Sequence, residues 1–526
     1  GPVEVSGARV RTTLEGTTGT VEISIEIKGM DGPFVASCWS AAAPMSRGAD
    51  GRWRARLDVA NPPLWWPHTH GDPHRLPLTI HGPEDGEGEP FLIDLGHVGF
   101  RSIGCDRGPD GDGFALRING VDVFCRGANW TNADLTRLPG EAADYEPLIR
   151  RARDAGMNML RISGVMTRET PDFFDLCDRY GILVWLDEAL ANFDYDFNHL
   201  VNHKRLESSL RDYLRDIEAA PSLAVVCGGS EMAQQGAMLS LPESVWTSDW
   251  CTTTLPQLVA DIRPDVIVVP NSPWGGALPF QPDKGVSHYY GVGAYMRPLE
   301  DARRANVRFA TECLAFAQLP QPESMAANAG DARPGDEAWK RRVVRDLGAD
   351  WDFEDTRDFY LGLLYGVDPA RLRAEEPDRY VALSQAVPGE AMAATFAEWR
   401  RVGSVTRGGL VWFLGDLGPG FGWGVIDWQG APKPAYHALR RAFRPVSVLI
   451  TDEGLNGLRC HVLNERSDSP LAARLTLTAY AADGGVVIDG ARDVALPGGG
   501  SLSVESAELF GIFFDVTCAY RFGTPA

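Results

Sequence analysis

From about Ile118 onward the chain settles into a rhythm that few folds accommodate: short apolar runs alternate with amphipathic helical segments. The runs fall at 121–129 (VDVFCRGAN), 158–163 (NMLRIS), 182–189 (ILVWLDEA), 223–231 (LAVVCGGSE), 266–272 (VIVVPNS), 285–290 (GVSHYY), 307–312 (VRFATE) and 408–416 (GGLVWFLGD). Continuous apolar runs bounded by turn residues read as strands buried on both faces. Their alternation with helices implies βαβ units around a parallel sheet. EPLIRRARDAG and TPDFFDLCDRYG are the plainest helices, each closed by a Gly that can take the left-handed C-terminal position. Eight such strands predict a (β/α)8 TIM barrel. A doubly wound sheet is the competing fold, but no run is followed by a Gly-rich dinucleotide turn.

Polar residues collect where these runs end: Asn129, Arg161, Asp187, Glu188, Glu231, Asn271, His288, Glu312 and Asp416. In a barrel, that C-terminal rim is where chemistry sits. The stretch Leu223–Met232 (LAVVCGGSEM) climbs through an apolar run, breaks on Gly228-Gly229 and presents Ser230-Glu231. Val307–Glu312 has the same shape, and the two glutamates are expected to face each other across one pocket. Paired carboxylates are what glycosidic bond cleavage requires. One is protonated to help the leaving oxygen depart, and the other is ionised to attack the anomeric carbon; a separation of about 5 Å gives retention of configuration. Environment must split their pKa values, with a donor such as Arg161 holding one down. The plainer alternative for any single strand-end glutamate is a salt bridge to a neighbouring loop.

The flanks read differently. Residues 1–104 alternate with period two (VEISIEIKG) between turn residues, as a β-sandwich does, and 446–526 returns to short strands and Gly-rich turns as a second sandwich. The barrel is thus expected over 105–445. An insertion at about 320–400, charged and rich in Pro and Asp with a helical FAEWRR, has the length of a lid or partner surface. His68, His70 and His74 could gather a metal, but without a carboxylate pattern a proline-stiffened loop is the expectation. Trp65-Trp66 reads as interdomain packing, Asp194 and Asp196 as a solvated loop, and Tyr289 as either a contact to the nucleophile or core.

Charge and cysteine content narrow the functional class. A net charge of −21 argues against nucleic acid, which demands basic surface. No stretch reaches the roughly 18 uninterrupted apolar residues of a membrane span. Nine cysteines, several inside apolar runs (Cys177, Cys227, Cys313), show no zinc or redox spacing. Buried free thiols and no visible signal peptide point to the cytoplasm. No metal or organic cofactor is expected, the partner is a carbohydrate substrate, and a homodimer is left open.

Taken in order, LWWPHTHG with GFRSI, INGVDVFCRGANWTNAD, GMNMLRIS, FFDLCDRYGILVWLDE, PSLAVVCGGSE, VRFATECLAFAQLP and VWFLGDLGPGFGWGVIDWQGAPKPAYHALRRAFRPV resemble glycoside hydrolase family 2, in its β-mannosidase branch. The resemblance implies an immunoglobulin-like sandwich ahead of the barrel and a retaining exo-acting β-glycosidase. It implies Glu231 as general acid/base and Glu312 as nucleophile, with Asn129, Trp130, Asp134, Arg161, Asp187, Tyr289, Trp412 and Trp423 as pocket candidates. Three features depart from it. Ser230 stands where the family has an Asn whose amide binds the sugar 2-hydroxyl. Ile162-Ser163-Gly164-Val165-Met166 replaces a Trp and a Gly-rich run, and Gly415-Asp416 replaces an Asn-Asp pair. The resemblance also implies a sugar-binding sandwich ahead of the immunoglobulin-like one, and none is expected within this sequence. These departures keep two alternatives open: a transglycosylase or a glycosidase for a sugar other than mannose, and a non-catalytic carbohydrate-binding protein.

Overall fold

The computed structural model describes residues 3–84, 90–192, 195–197, 200–516 and 520. Its centre is a sheet of eight parallel strands: β1 Cys125–Trp130, β2 Met159–Ile162, β3 Leu183–Asp187, β4 Leu223–Cys227, β5 Ile267–Val269, β6 Ser287–Tyr289, β7 Ala310–Cys313 and β8 Gly408–Val411. Hydrogen bonds link them in the order β5-β4-β3-β2-β1-β8-β7-β6, so the ladder is continuous except between β5 and β6. This is the TIM barrel expected from the sequence. All residues of β1, β2, β3, β4, β7 and β8 are buried, because the strands are covered by side chains inside and by helices outside.

The first run divides. Val121–Val123 pairs antiparallel with Ala115–Ile118 in a hairpin, and the barrel strand proper starts at Cys125. Leu116, Ile118 and Val123 from this hairpin pack with Phe114, Met159, Leu183, Trp185, Phe309 and Leu410 in the barrel's interior. Phe114 stands 5.6 Å from Trp185 and 5.3 Å from Phe309, ring centre to ring centre. Trp65 joins the same core, and its indole N–H donates to the Asp178 carbonyl at 2.8 Å. The outer layer includes helices 142–154, 171–180, 200–216, 255–262, 377–400 and 434–442.

Ahead of the barrel, two four-stranded antiparallel sheets enclose Val21, Ile23, Ile25, Phe34, Leu57, Leu78 and Ile80. Behind it, a three-stranded sheet and the hairpin 471–480/486–496 enclose Cys460, Val462, Leu475, Val494 and Val504. A polar joint ties all three parts together. Arg126 of β1 and Arg400 both pair with Glu465, at 2.7 and 2.9 Å, and Ser467 donates twice to the His70 carbonyl. His68 and His70 turn to different partners, the Met157 carbonyl and the Thr69 hydroxyl, so they belong to this packing and do not converge on a metal. The insertion is more helical than its composition suggested, with helices 322–329, 337–340, 353–365 and 369–375 preceding 377–400. Asp194 lies outside the described residues. The eight described cysteines are free thiols, seven of them buried. No helix among the described residues is long and apolar enough to cross a membrane.

Two expectations follow. A Cβ on Gly127 of β1 would lie 1.7 Å from the Met159 carbonyl oxygen, a backbone atom that cannot move away. Gly127→Ala should therefore cost about 3 kcal/mol or more in denaturant unfolding. Burial pushes His70 down to about 4. The unfolded imidazole titrates near 6.5, so between those pH values the unfolded chain binds the extra proton. The contribution of His70 to stability is complete above about pH 6.5 and is lost as pH falls towards 4. His70→Gln should flatten that part of the stability–pH curve.

Candidate active site

Arg161 of β2 is fully buried, and every direction it points meets an acceptor. Its guanidinium donates to Asp187 of β3 at 2.7 Å, to Glu312 of β7 at 2.7 Å, to the Asn129 side-chain oxygen of β1 at 2.9 Å and to the Ser230 hydroxyl at 3.2 Å. Burial opposes its charge, but Asp187 and Glu312 outweigh that and push its pKa up. The Asn129 amide donates in turn to the Thr311 carbonyl at 3.0 Å. Parallel strands bring these residues level: Asn129 pairs with Arg161 across β1 and β2.

Glu312 has one oxygen on Arg161 and the other on the Tyr290 hydroxyl, which donates at 2.6 Å. Burial and the Glu312 carboxylate together raise the Tyr290 pKa, so the phenol keeps its proton for that bond. His288 Nδ1 stands between the two glutamates, 2.7 Å from Glu231 Oε1 and 3.3 Å from Glu312 Oε2. One donor atom from each of Glu231, His288 and Glu312 lies within 4.8 Å of the other two. They form the one group of three such donors among the described residues close enough to share a cation, but hydrogen bonds to one another, to Arg161 and to Tyr290 already occupy them.

Glu231 is placed by a strained turn. Gly228 and Gly229 let the chain pass the Pro270 and Leu190 carbonyls, which a Cβ would approach within 2.2 and 2.7 Å. Glu231 itself adopts φ +57°, uncommon for a residue with a side chain, and its N–H donates to the Ser272 carbonyl at 2.7 Å. Asn271 braces the turn by donating to the Gly229 carbonyl at 3.0 Å. Burial alone would raise the Glu231 pKa, but His288, Gln235 and Arg161 hold it at about 2.

A cavity of about 680 Å³ opens above the pair, lined by Ser230, Glu231, His288, Tyr290, Glu312, Trp412 and Trp423, with Asp346, Leu347 and Phe353 from the insertion. Of the sequence candidates, Ser230, Trp412, Trp423 and both glutamates line it. Asn129, Arg161 and Asp187 lie buried beneath it, where they touch the Glu312 carboxylate or its supports and not the open space. Trp130, Asp134 and Tyr289 are not brought to it. Trp130 points outward and donates to Glu169 at 2.8 Å. Asp134 accepts from Thr136 and Arg137 within its own surface turn. Tyr289 donates to Asp301 at 2.9 Å and packs against Trp399. Strand alternation was the signal that separates these: His288 and Tyr290 share the inner face, and Tyr289 between them must face the helices. Two other strand-end acids are structural, Glu188 pairing with Arg168 and Asp416 with Lys433.

No family model matches the chain. It is 29% identical over 432 residues to β-mannosidase B of Aspergillus clavatus, covering 77% of this chain and 49% of that protein. It is likewise 29% identical over 425 residues to β-mannosidase B of Aspergillus oryzae, covering 76% and 48%. The chain thus spans about half the length of the curated relatives it matches. Among solved structures it resembles the β-D-mannosidase of Dictyoglomus thermophilum, with TM-score 0.77, 23% identity, and coverage of 96% of this chain and 63% of that one. It also resembles the exo-chitosanase of Amycolatopsis orientalis, with TM-score 0.67, 17% identity, and coverage of 96% and 60%. The chain is thus similar in sequence to β-mannosidases and shares the fold of the solved multidomain structures it resembles.

Removing the Arg161 charge strands two buried carboxylates. Arg161→Met should lower stability by about 3–5 kcal/mol, read as a fall in the denaturant midpoint, whereas Tyr290→Phe should cost no more than about 1–3 kcal/mol.

Proposed function

We propose that this chain, like the β-mannosidases of glycoside hydrolase family 2 that it resembles, is a retaining exo-acting β-glycosidase. Glu312 attacks the anomeric carbon and Glu231 serves as acid and then base. The observation that carries this reading is the pair itself: two carboxylates from β7 and the β4 exit, their nearest donor atoms within 4.8 Å, at the floor of one cavity. Retaining enzymes hold their carboxyl groups about 5–5.5 Å apart, and inverting ones leave about 6.5–9.5 Å for a water. Arg161 and Tyr290 each donate to one oxygen of Glu312 and so hold the carboxylate in a fixed aim, as a nucleophile requires. Trp412 and Trp423 offer aromatic faces on which a sugar ring can pack.

A second reading changes the sugar and keeps the chemistry. Among the described residues the cavity wall carries three carboxylates, Glu231, Glu312 and Asp346, and neither Lys nor Arg. Ser230, in the position beside the acid, offers a hydroxyl and no amide. This wall suits a glycoside bearing a positive charge, such as a 2-amino sugar. The exo-chitosanase among the structural neighbours was solved with an aryl β-D-glucosaminide.

The test is turnover of aryl β-glycosides, with mannoside, glucoside and glucosaminide side by side. Wild type should release the aglycone from at least one, with the first-formed sugar in the β configuration by NMR. Glu312→Gln should abolish turnover, and Glu231→Gln should lower it by about 10²–10⁴-fold for poor leaving groups. Variants as active as wild type would remove both glutamates from the mechanism, and an α product would replace double displacement by inversion. Added alcohol acceptors separate hydrolysis from transfer.

A further inference from the structure

An acid/base residue held at about 2 poses a chemical problem, because such a carboxyl has no proton to give at neutral pH. The hydrogen bonds behind Glu231 resolve it. The Thr311 hydroxyl donates to the Ser287 carbonyl at 3.2 Å. With that proton committed to Ser287, the 2.7 Å contact with the Ser272 hydroxyl, in which either oxygen can donate, uses the Ser272 proton. Ser272 is left with lone pairs only towards His288 Nε2 at 3.0 Å, so Nε2 carries hydrogen. The reverse direction would leave Nε2 bare and put hydrogen on Nδ1, and nitrogen NMR decides between the two. With Nε2 protonated, the 2.7 Å contact of Nδ1 with Glu231 Oε1 needs one more proton, as imidazolium and carboxylate or as imidazole and carboxylic acid.

We propose that His288 is a positioning residue that stores the acid's proton: it shares one proton with Glu231, and the Thr311–Ser272 hydroxyl chain fixes the tautomer that puts it there. The inference rests on the glycosidase reading. In the first step the C1–O bond breaks and its electron pair goes to the leaving oxygen, which takes the shared proton, while Glu312 bonds to C1. This leaves neutral His288 and ionised Glu231 facing each other with no proton between them, which makes the pair a strong base. In the second step water bonds to C1, the ester electron pair returns to Glu312, and the water proton refills the pair. The groups bearing on His288 are Glu231 from the β4 exit, Glu312 from β7 and Ser272 after β5, with Tyr290, just past the end of β6, acting through Glu312. Arg161, Asp346 and Tyr295 act through Glu231.

The experiment compares wild type, His288→Asn and Ser272→Ala on aryl glycosides of graded leaving-group acidity. Both variants should lose kcat/KM on poor leaving groups, His288→Asn by about 10²-fold and Ser272→Ala by about 10-fold. Both should stay within about 5-fold of wild type on a dinitrophenyl glycoside, which needs no acid, and the basic limb of the pH profile should move to lower pH. Equal losses on every leaving group with an unmoved limb would overturn the proposal and leave His288 as scaffold. Nitrogen NMR of ¹⁵N-histidine protein gives a readout that needs no turnover. Nε2 should carry hydrogen in the folded protein, and Glu231→Gln should shift the Nδ1 resonance; a bare Nε2 in the folded protein overturns the tautomer. If wild type cleaves no glycoside, the glycosidase reading fails while the NMR result still decides the proton pair.

Discussion

Arg161 carries a full positive charge inside the barrel with no exposure to water. Such a charge is stable only if its surroundings replace hydration group by group. Here the replacement comes from four other stretches: Asn129 on β1, Asp187 on β3, Ser230 at the β4 exit and Glu312 on β7. The interaction is not a gain in stability over an apolar core of the same volume. Its value is that it has one arrangement. A guanidinium fork cannot shift by an ångström without abandoning one of two buried carboxylates, so the orientation of Glu312 is fixed by the same bonds that make the charge tolerable. Tyr290 and His288 then find Glu312 already in place.

Much of this was readable from the sequence, and the reason is burial on both faces. A strand sandwiched between a packed interior and a ring of helices must be apolar throughout, so the eight runs stand out without periodicity. The polar residues that end them stand out for the same reason. What failed was the choice between neighbours. Asn129 and Tyr290 face inward, Trp130 and Tyr289 outward, and alternation along the strand would have separated them. The role of His288 was beyond reach, because it depends on register. The β6–β7 ladder slips between Ser287 and His288, and the slip sets His288 opposite Glu312. Asp346 was beyond reach as well, since nothing local says that an insertion residue bends back over the cavity.

The insertion earns its order from a buried polar knot, not from an apolar core alone. Glu354 accepts from the Trp339 indole at 2.6 Å, from Arg357 and Tyr380 at 3.1 Å each, and pairs with Lys340 at 2.9 Å. Arg373 joins through Asp358 and the Tyr380 hydroxyl. One carboxylate thus gathers helices 337–340, 353–365 and 377–400; the segment carrying Asp346 and Leu347 hangs between the first two, and Phe353 opens the second. The charged residues that read as the surface of a lid or partner site are in part the material of this knot.

The open seam in the barrel ladder lies between β5 and β6. Beyond the backbone pair of Trp274 and Val286, what spans it at the rim is the Ser272 hydroxyl bonded to His288. The ring that closes this seam also faces both carboxylates, Glu231 at 2.7 Å and Glu312 at 3.3 Å. The joint that completes the rim and the floor of the cavity therefore share one side chain, and neither can be rebuilt without the other.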